Sequence, residues 1–377
     1  MKKVLVPKVR FKGFDEEWKE ERLEYIAKVT NGKSNTSDNN KWGQYNLYIR
    51  SEEIYKSNKY IFDVEGVITV GDGNIGKIFH YVNGKFDLHQ RCYLIYEFQN
   101  IWPKYFYYYF SQNFYKRAIL MSYTATVNSI RMNTITDMDI MFPKELIEQQ
   151  KIGKLLEHID NLITLEEIKL NKLKQIKETL LQKMFPEGNS KTPRIRFKGF
   201  EGEWKEEKLD DIFKVITGGE PPKNYKNSKH PVGMYKYPIY SNGQEANAIW
   251  GFSDNYSINT EAITISSIGT IGFPVVRKMF FTPIIRLKTL LPYNKNMNIN
   301  FLNLSVSQIN FSFNQAGIPS MNSNQLKDNI ILISRNFSEQ QKIGDFFSKI
   351  DTLINLYNSK LNKLKQIKEA LLQKMFV

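Results

Sequence analysis

The sequence predicts an α/β (α+β) protein with internal pseudo-two-fold duplication: two domains with small twisted sheets, separated by two long helices that form an antiparallel coiled coil. Residues 193–218 repeat residues 7–32 with 16 of 26 positions identical, and residues 339–376 repeat residues 148–185 with 27 of 38 identical. The stretches between these copies have similar lengths but share little sequence. Solenoid repeats run to only about 20–50 residues, so this pattern indicates a duplicated scaffold carrying two different domains.

The repeats divide the chain into six predicted segments. Each half has a linker, a variable domain (the first or second head) and a long helix. In order, the segments are 1–32 (first linker), 33–143 (first head), 144–186 (first long helix), 187–218 (second linker), 219–334 (second head) and 335–377 (second long helix).

Both long segments carry apolar residues at alternating steps of four and three, which is typical of a coiled coil. Two self-complementary helices of about 60 Å favour an antiparallel pair with the heads at opposite ends. The open alternative is that each helix is only a core element of its own half. The predicted partner-binding and coiled-coil residues are Ile152, Leu156, Ile159, Ile163, Leu170, Leu173, Leu180, Ile343, Phe347, Ile350, Ile354, Leu361, Leu364 and Leu371.

Short apolar runs between polar turns predict strands in both heads. Examples are EGVITV at 65–70, KYPIY at 236–240 and TPIIRL at 282–287. Residues 102–120 predict a helix with a wide aromatic face, and residues 295–311 contain a weaker counterpart.

Residues 71–77 read GDGNIGK and match the pattern GxGxxG of dinucleotide-binding folds. That fingerprint requires a following helix, whereas KIFHYVNGKF indicates a strand and a turn. The second head has SSIGTIG at 266–272 and lacks the first glycine. We therefore predict a turn between two strands in both heads.

The chain has 53 Lys and Arg against 39 Asp and Glu, for a formal net charge of +14. This excess favours a polyanionic partner such as nucleic acid. Cys92 is the single cysteine, which excludes intrachain disulfides and indicates a reducing cytoplasm. Neither a signal peptide nor an apolar run of membrane-spanning length is recognised, so we expect a cytoplasmic protein without a membrane partner.

The sequence offers no recognisable catalytic site. His89 and Cys92 have HxxC spacing, but the chain has only 4 histidines, too few for a convincing zinc site. A P-loop, a G-x-S-x-G elbow and the motif of an adenine methyltransferase are not found. We expect a chain that is not an enzyme and holds no metal or cofactor.

The order of motifs resembles the DNA-specificity (S) subunit of type I restriction–modification systems over essentially the whole chain. The resemblance rests on Trp18-Lys19 and Trp204-Lys205, the G-[NT]-I-G turns, and EQQKIG at 148–153 and 339–344. It implies a non-catalytic subunit whose heads are target-recognition domains, each reading one half of a split target in double-stranded DNA. It also implies that the helices set the spacer and dock two adenine methyltransferase (modification) subunits, and that restriction/translocase subunits join the assembly.

In such a reader, Arg pairs with guanine, Asn and Gln pair with adenine, and Ser, Thr or Lys hold phosphates. The first-head candidates are Lys33, Ser34, Asn35, Arg50, Lys77, Arg91, Thr124, Asn128 and Arg131. The second-head candidates are Lys223, Tyr225, Lys226, Asn242, Arg277, Asn314, Gln315, Ser320 and Asn322.

Two other functions stay open at this point. The chain could be a nuclease or methyltransferase with unrecognised motifs, which would act on DNA without partners. It could also be a coiled-coil adaptor that binds only proteins, which would show no salt-dependent affinity for DNA. If the duplication is a closed pseudo-symmetric arrangement, the first linker must lie near the end of the second helix.

Overall fold

The structure, a computed structural model, describes residues 5–124, 128–243, 248–315 and 317–376. The chain divides into two compact units, Met1–Ile168 with Ser359–Val377, and Lys169–Asn358. Each unit therefore contains one head and parts of both long helices.

The strands and helices of the first unit follow the predicted alternation of short strands with one aromatic helix. The strands are β1 (Lys19–Arg22), β2 (Lys28–Asn31), β3 (Tyr45–Tyr48), β4 (Ile54–Ser57), β5 (Phe62–Val70), β6 (Phe79–Leu88), β7 (Cys92–Tyr96), β8 (Tyr123–Thr124), β9 (Asn128–Ser129) and β10 (Asp139–Phe142). The helices are α1 (Leu23–Ile26), α2 (Pro103–Leu120), α3 (Met132–Thr136) and α4 (Leu146–Met184), of which α4 continues into the second unit.

The second unit repeats this series with shorter elements. Its strands are β11 (Lys205–Lys208), β12 (Phe213–Thr217), β13 (Tyr225–Lys226), β14 (Tyr237–Tyr240), β15 (Ile249–Ser253), β16 (Ala262–Ser266), β17 (Gly272–Arg277), β18 (Thr282–Pro283), β19 (Lys288–Pro292) and β20 (Ile330–Ile333). Its helices are α5 (Leu209–Ile212), α6 (Ile299–Val306), α7 (Ser323–Lys327) and α8 (Phe337–Met375), and α8 ends in the first unit.

The two heads share a sheet core but differ at its edge. The first head has a six-stranded sheet in the order β2-β7-β5-β6-β3-β4, and the second has a four-stranded sheet in the equivalent order β12-β19-β16-β17. The strands that would extend the second sheet form a separate sheet, β13-β15-β14-β18. The predicted strand–turn–strand arrangement at 71–77 and 266–272 is confirmed, because β5 pairs antiparallel with β6 and β16 with β17.

One strand prediction is wrong in part. TPIIRL forms only the two-residue strand β18, after which Ile285 and Arg286 adopt φ angles of 52° and 61°. Residues other than glycine rarely adopt this left-handed backbone conformation, and it is not that of a strand. The chain therefore leaves the strand there and turns into β19. The predicted aromatic helix is confirmed as α2, and the weaker counterpart as α6.

The two long helices run antiparallel where they pair in the first unit. Asp160 and Glu167 of α4 pair with Lys368 and Lys365 of α8 at 2.5 and 2.6 Å, and the buried Glu166 pairs with Lys360 at 2.9 Å. Asp160, the first of these residues on α4, has the partner with the highest number on α8, and Glu166 and Glu167 further along α4 have partners with lower numbers. Leu371, Met375 and Phe376 of the second repeat also join the core beneath α2, so the alternative that each helix serves only its own half is wrong.

In the second unit, the end of α4 and the start of α8 share another core. Leu173, Leu180 and Met184 belong to the same apolar cluster as Ile343 and Phe347. Lys177 of α4 forms an ion pair with Asp351 of α8. Every predicted coiled-coil residue is buried or half-buried.

The repeated motifs fasten each linker to the start and the end of the long helices. Arg10 Nε donates to Glu148 at 2.7 Å, and Arg196 Nε donates to Glu339 at 2.5 Å, so the Glu of each EQQKIG binds an Arg of a linker. The following Gln149 and Gln340 are buried and donate to the backbone carbonyls of Pro143 and Ser334. The Val9 amide also donates to the Lys374 carbonyl at 2.9 Å, as Ile195 does to Lys183 at 2.8 Å, which confirms that the first linker lies near the end of α8.

Candidate nucleic-acid interface

In the first head, the turn at 71–76 meets the short hairpin β8–β9. The Gly73 amide donates to the Asn128 carbonyl, and the Ile130 amide donates to the Gly71 carbonyl, both at 2.9 Å. These bonds bring together two regions that the sequence marked separately. The cleft between them, the first-head cleft, is lined by Asn31, Gly71, Asp72, Gln90, Arg91, Tyr93, Ser129 and Ile130.

Two predicted arginines converge on one buried carboxylate in this cleft. Arg50 Nη1 lies 3.0 and 3.1 Å from the two Asp72 carboxylate oxygens, and Arg91 Nη1 lies 2.8 Å from Oδ2. Asp72 is 5% exposed, whereas both arginines are exposed. One carboxylate thus orients two guanidinium groups and leaves a local excess of one positive charge.

A network of buried polar groups lies at the end of β6, shortly before Gln90 and Arg91 in the sequence. Ser34 Oγ and Ser57 Oγ donate to the two Asp87 carboxylate oxygens at 2.6 and 2.8 Å. His89 Nδ1 lies 3.1 Å from the Arg91 amide and accepts its hydrogen bond. Burial and the nearby Arg50 lower the pKa of His89, which keeps the ring neutral.

Ser34 requires a correction, because the sequence predicted it on the binding surface. It is buried, and its hydroxyl is engaged by Asp87, so it supports the loop rather than facing solvent. Its neighbour Lys33 is exposed, and the exposed Asn35 accepts a 2.6 Å hydrogen bond from Gln90 Nε2.

The remaining first-head candidates lie around the cleft. Lys77 lies over the ring of Tyr115 on α2, 5.6 Å from its centroid. Asn128 is half-buried in β9, and Arg131 is exposed directly before α3. The Thr124 backbone belongs to β8, and residues 125–127 of the predicted segment lie outside the described residues.

The second head builds an equivalent cleft with the same backbone pairing. The Gly269 amide donates to the Pro319 carbonyl at 2.8 Å, and the Met321 amide donates to the Ser267 carbonyl at 3.0 Å. We call this the second-head cleft. Its lining is Thr217, Ser267, Ile268, Arg286, Lys288, Asn314, Ser320, Met321, Asn322 and Ser323.

Sequence reasoning missed the two cations of the second-head cleft. Arg286 is exposed, and the buried Lys288 Nζ donates to Thr217 Oγ1 and Ser323 Oγ at 3.0 and 2.9 Å. Strand pairing reveals the equivalence, because Asn31 opposes Tyr93 as Thr217 opposes Lys288. Counting back two residues from Tyr93 and Lys288 aligns Arg91 with Arg286. Sequence comparison does not show this match, because the residues around it differ between the two heads.

Four predicted residues of the second head surround this cleft. Asn314 and Ser320 pair through their backbones at 2.9 and 3.1 Å, and Gln315 is exposed beside Asn314. Asn322 Oδ1 accepts from the Gln325 amide at 2.8 Å and caps α7.

The other second-head candidates do not line this cleft. Asn242 Nδ2 donates to the Ile285 carbonyl at 2.5 Å, and Asn242 Oδ1 accepts from the Ser267 amide at 2.8 Å, so this side chain ties the turn to the cleft wall. Lys223, Tyr225 and Lys226 are exposed at the β13 edge.

Arg277 is a second correction. The sequence predicted a surface contact, but the residue is 5% exposed, and its guanidinium lies 3.9 Å from the Tyr240 ring centroid. Its Nε donates to Thr264 Oγ1 at 2.9 Å. Burial lowers the pKa of this guanidinium, and its contacts with Thr264 on β16 and Tyr240 on β14 lie inside the head.

Within the described ranges, no cluster of three or more His, Cys, Asp or Glu side chains is arranged to hold a metal ion. Cys92 is buried, and burial raises the pKa of its thiol to about 12. No helix in the described part of the chain has the length and apolar character needed to cross a membrane. Arg91 in the first-head cleft and Arg286 and Lys288 in the second-head cleft supply hydrogen-bond donors and positive charge, which suit the binding of an anionic group.

Known proteins are similar to this chain in sequence and in fold. A relative described as a type I specificity subunit of Mycoplasma pneumoniae is 26% identical over 361 residues, covering 92% of each chain. The specificity subunit of the Escherichia coli type I restriction enzyme EcoDI is 31% identical over 166 residues, covering 44% of this chain and 35% of that protein.

The fold matches a solved structure along its length. The crystal structure of the type I restriction–modification S subunit from M. genitalium aligns with a TM-score of 0.75 at 16% identity, covering 99% of each chain. The family model of the type I restriction modification DNA specificity domain matches residues 15–175 and 201–366. Because these two matches span most of the sequence, the chain belongs to the type I restriction–modification DNA specificity family and contains two copies of its domain.

Proposed function

We propose that this subunit recognises an asymmetric bipartite target in double-stranded DNA, with one half read by each head. The observation that carries the proposal is the pair of clefts, which share backbone pairing but differ in side chains. The first has Asp72 and Tyr93 where the second has Ile268 and Lys288. Two sites of one geometry and different chemistry are what a reader of two unlike half-sites requires.

The chemistry of the first-head cleft favours base reading. Asp72 holds Arg50 and Arg91 in place, and an oriented guanidinium is suited to the paired acceptors of guanine in the major groove. Lys33 would hold a flanking phosphate, and Asn35 and Arg131 would contact base edges. All remaining predicted site residues stay proposals for DNA contact, except Ser34 and Arg277, which are internal.

As a type I specificity subunit, the chain is a non-catalytic component. We propose that it docks two modification subunits, that restriction/translocase subunits complete the assembly, and that α4 and α8 set the spacer. We also propose that the six segments predicted from the sequence are the functional divisions of the chain. A solved structure similar in fold, with a TM-score of 0.52, is described as concerning complex assembly of the type I restriction–modification system.

Exposed apolar residues on the long helices support two docking sites. In the first unit, Leu165 and Ile367 are 51% and 41% exposed. Their repeat equivalents in the second unit, Leu356 and Ile176, are 63% and 42% exposed. Large apolar side chains exposed at equivalent places in both units favour the same partner bound twice.

Binding of the full chain to duplex DNA at several salt concentrations tests the proposal. A DNA reader loses affinity steeply as salt rises, whereas a protein-only adaptor shows no such dependence. The same preparation is incubated with S-adenosylmethionine or Mg²⁺ and DNA. Methylation or cleavage by the chain alone would favour an enzyme instead.

A further inference from the structure

The second-head cleft contains a buried ammonium group. Lys288 is 5% exposed, and its two hydrogen-bond acceptors, Thr217 and Ser323, are uncharged hydroxyls. Among the described residues, no carboxylate oxygen lies within 4.0 Å of its Nζ. Lysine is seldom buried to this degree without an anionic partner, because an uncompensated buried charge is costly.

A second cation adjoins it. Arg286 is exposed, and its backbone is fixed in the left-handed region, with its carbonyl accepting from Ser267 Oγ at 2.6 Å. Burial and the positive charge of Arg286 lower the pKa of Lys288. Each cation therefore raises the electrostatic cost of the other unless an anion lies beside them.

The first head shows how such a cleft is balanced internally. Asp72 there pairs its backbone with Ser129, and Ile268 pairs its backbone with Ser320 in the second head. The position that supplies a carboxylate to Arg50 and Arg91 is thus apolar in the second head, which leaves Arg286 and Lys288 without the carboxylate that the first head supplies.

We propose that the second-head cleft binds one phosphodiester group of the recognised DNA through Arg286 and Lys288. The inference rests on the proposed DNA-binding function and assigns one of its phosphate contacts to two named cations of the second-head cleft. The cleft has a volume of about 330 Å³, enough for a tetrahedral oxyanion. A guanidinium and an ammonium group both donate hydrogen bonds to phosphate oxygens.

The test measures the salt dependence of binding to a mixed-sequence duplex by the full chain and its variants. Each phosphate contact contributes about 0.9 to the slope of log K against log salt. Arg286→Gln and Lys288→Met should each lower that slope by up to about 0.9 and weaken binding to all sequences alike. Arg335→Gln, an exposed arginine outside the cleft, is the matched control and should keep the wild-type slope.

Ile268→Asp provides a variant that removes no cation. Its carboxylate would stand where Asp72 stands in the first head and would compete with the DNA phosphate. The slope should fall by a similar amount while circular dichroism and thermal unfolding show a folded chain. Should Lys288→Met fail to fold, Arg286→Gln and Ile268→Asp still decide the question.

A titration with inorganic phosphate at constant ionic strength distinguishes a site for a DNA phosphate from a site for free phosphate. Wild-type slopes in both Arg286→Gln and Ile268→Asp would overturn the proposal. This holds even if free phosphate raises the Tm of the wild type and not that of the variants, because the cleft would then bind free phosphate and not a DNA phosphate. Salt-dependent binding that is missing in the wild type would instead contradict the DNA-binding function itself.

Discussion

A single glycine in each copy of EQQKIG sets how closely the long helix approaches its head. A Cβ on Gly153 would lie 2.4 Å from Trp102 Cζ3, and one on Gly344 would lie 2.1 Å from Asn298 Oδ1. Trp102 and Asn298 directly precede α2 and α6. The repeated glycine is therefore explained by packing at the same point of both halves.

We predict that Gly153→Ala and Gly344→Ala destabilise the protein, although alanine is the better helix former. Overpacking typically costs about 1–3 kcal/mol, which exceeds the gain of about 1 kcal/mol in helix propensity. Chemical denaturation measures the change. Gly219→Ala, with open space at its Cβ, is the control, and an unchanged or raised stability of the two helix variants would contradict the packing account.

His89 makes the first head sensitive to acid. Its pKa lies below the ordinary value of 6.5, so between the folded pKa and 6.5 the unfolded chain binds more protons. Stability from this group is full above about pH 6.5 and falls as the pH drops toward the folded pKa. His80, whose pKa is lowered by burial as well, acts in the same direction.

Thermal unfolding at about pH 7.5 and pH 5.5 should show this loss, and His89→Asn should reduce it. Asparagine retains an acceptor for the Arg91 amide but does not titrate. An equal pH dependence in wild type and variant would show that His89 does not contribute to the loss of stability at low pH.

At the scale of elements, a buried ion pair fastens each linker to a long helix. Glu148 and Glu339 are buried, and their partners Arg10 and Arg196 have side chains that are 12% and 13% exposed. The hydrogen bond to Glu148 raises the pKa of Arg10. The Arg-Phe pair of each linker (Arg10-Phe11 and Arg196-Phe197) and the EQQKIG motif, which are far apart in sequence, meet at this junction.

Arg10→Met should destabilise the chain by about 3–5 kcal/mol, because it leaves the Glu148 carboxylate buried without its partner. Arg10→Met with Glu148→Leu should recover most of that loss. Arg194→Met is the control, since Arg194 and Glu187 are both largely exposed, and exposed pairs contribute about 0–1 kcal/mol. Equal destabilisation by the single and double variants, measured in urea, would argue against a buried-charge effect.

The sequence could predict the elements that obey a period or a repeat. The heptad residues of α4 and α8, the aromatic helix α2 and the two strand–turn–strand regions all follow from local patterns. The clefts could be predicted only in part. Arg50, Arg91 and Asn314 were found by residue type, but the burial of Ser34 and Arg277 depends on distant partners such as Asp87 and Tyr240.

Arg286 and Lys288 show the same limit. Arg286 lies in the run TPIIRL, which reads as a continuous strand, and Lys288 directly follows it. The backbone instead turns at Ile285 and places both residues beside residues 314–323. Strand pairing, which a single sequence does not contain, establishes their equivalence to Arg91 and Tyr93.

For the whole molecule, the duplication combines a repeated scaffold with two different clefts. α4 is one continuous helix of 39 residues that begins in the first unit and ends in the second. Its ion pairs with α8 cross between repeats, so neither half of the sequence forms a unit without the other.

Lengthening both helices should lengthen the spacer of the target. A heptad inserted near Leu170, with a matched heptad near Leu361, adds about 10 Å of helix, or about three base pairs. Methylated sites mapped in cells that express the modification subunits should keep both half-sites and gain this spacing. The same seven residues placed in the exposed segment 227–231 are the control, and an unchanged spacer in the helix variant would contradict the ruler.

Exchange of one head tests whether each head reads one half of the target. Residues 33–147 are replaced by the corresponding head of another specificity subunit, and methylated adenines are then mapped across the genome. We expect one half of the methylated site to change while the other half stays the same. A change in both halves, or in neither, would contradict it.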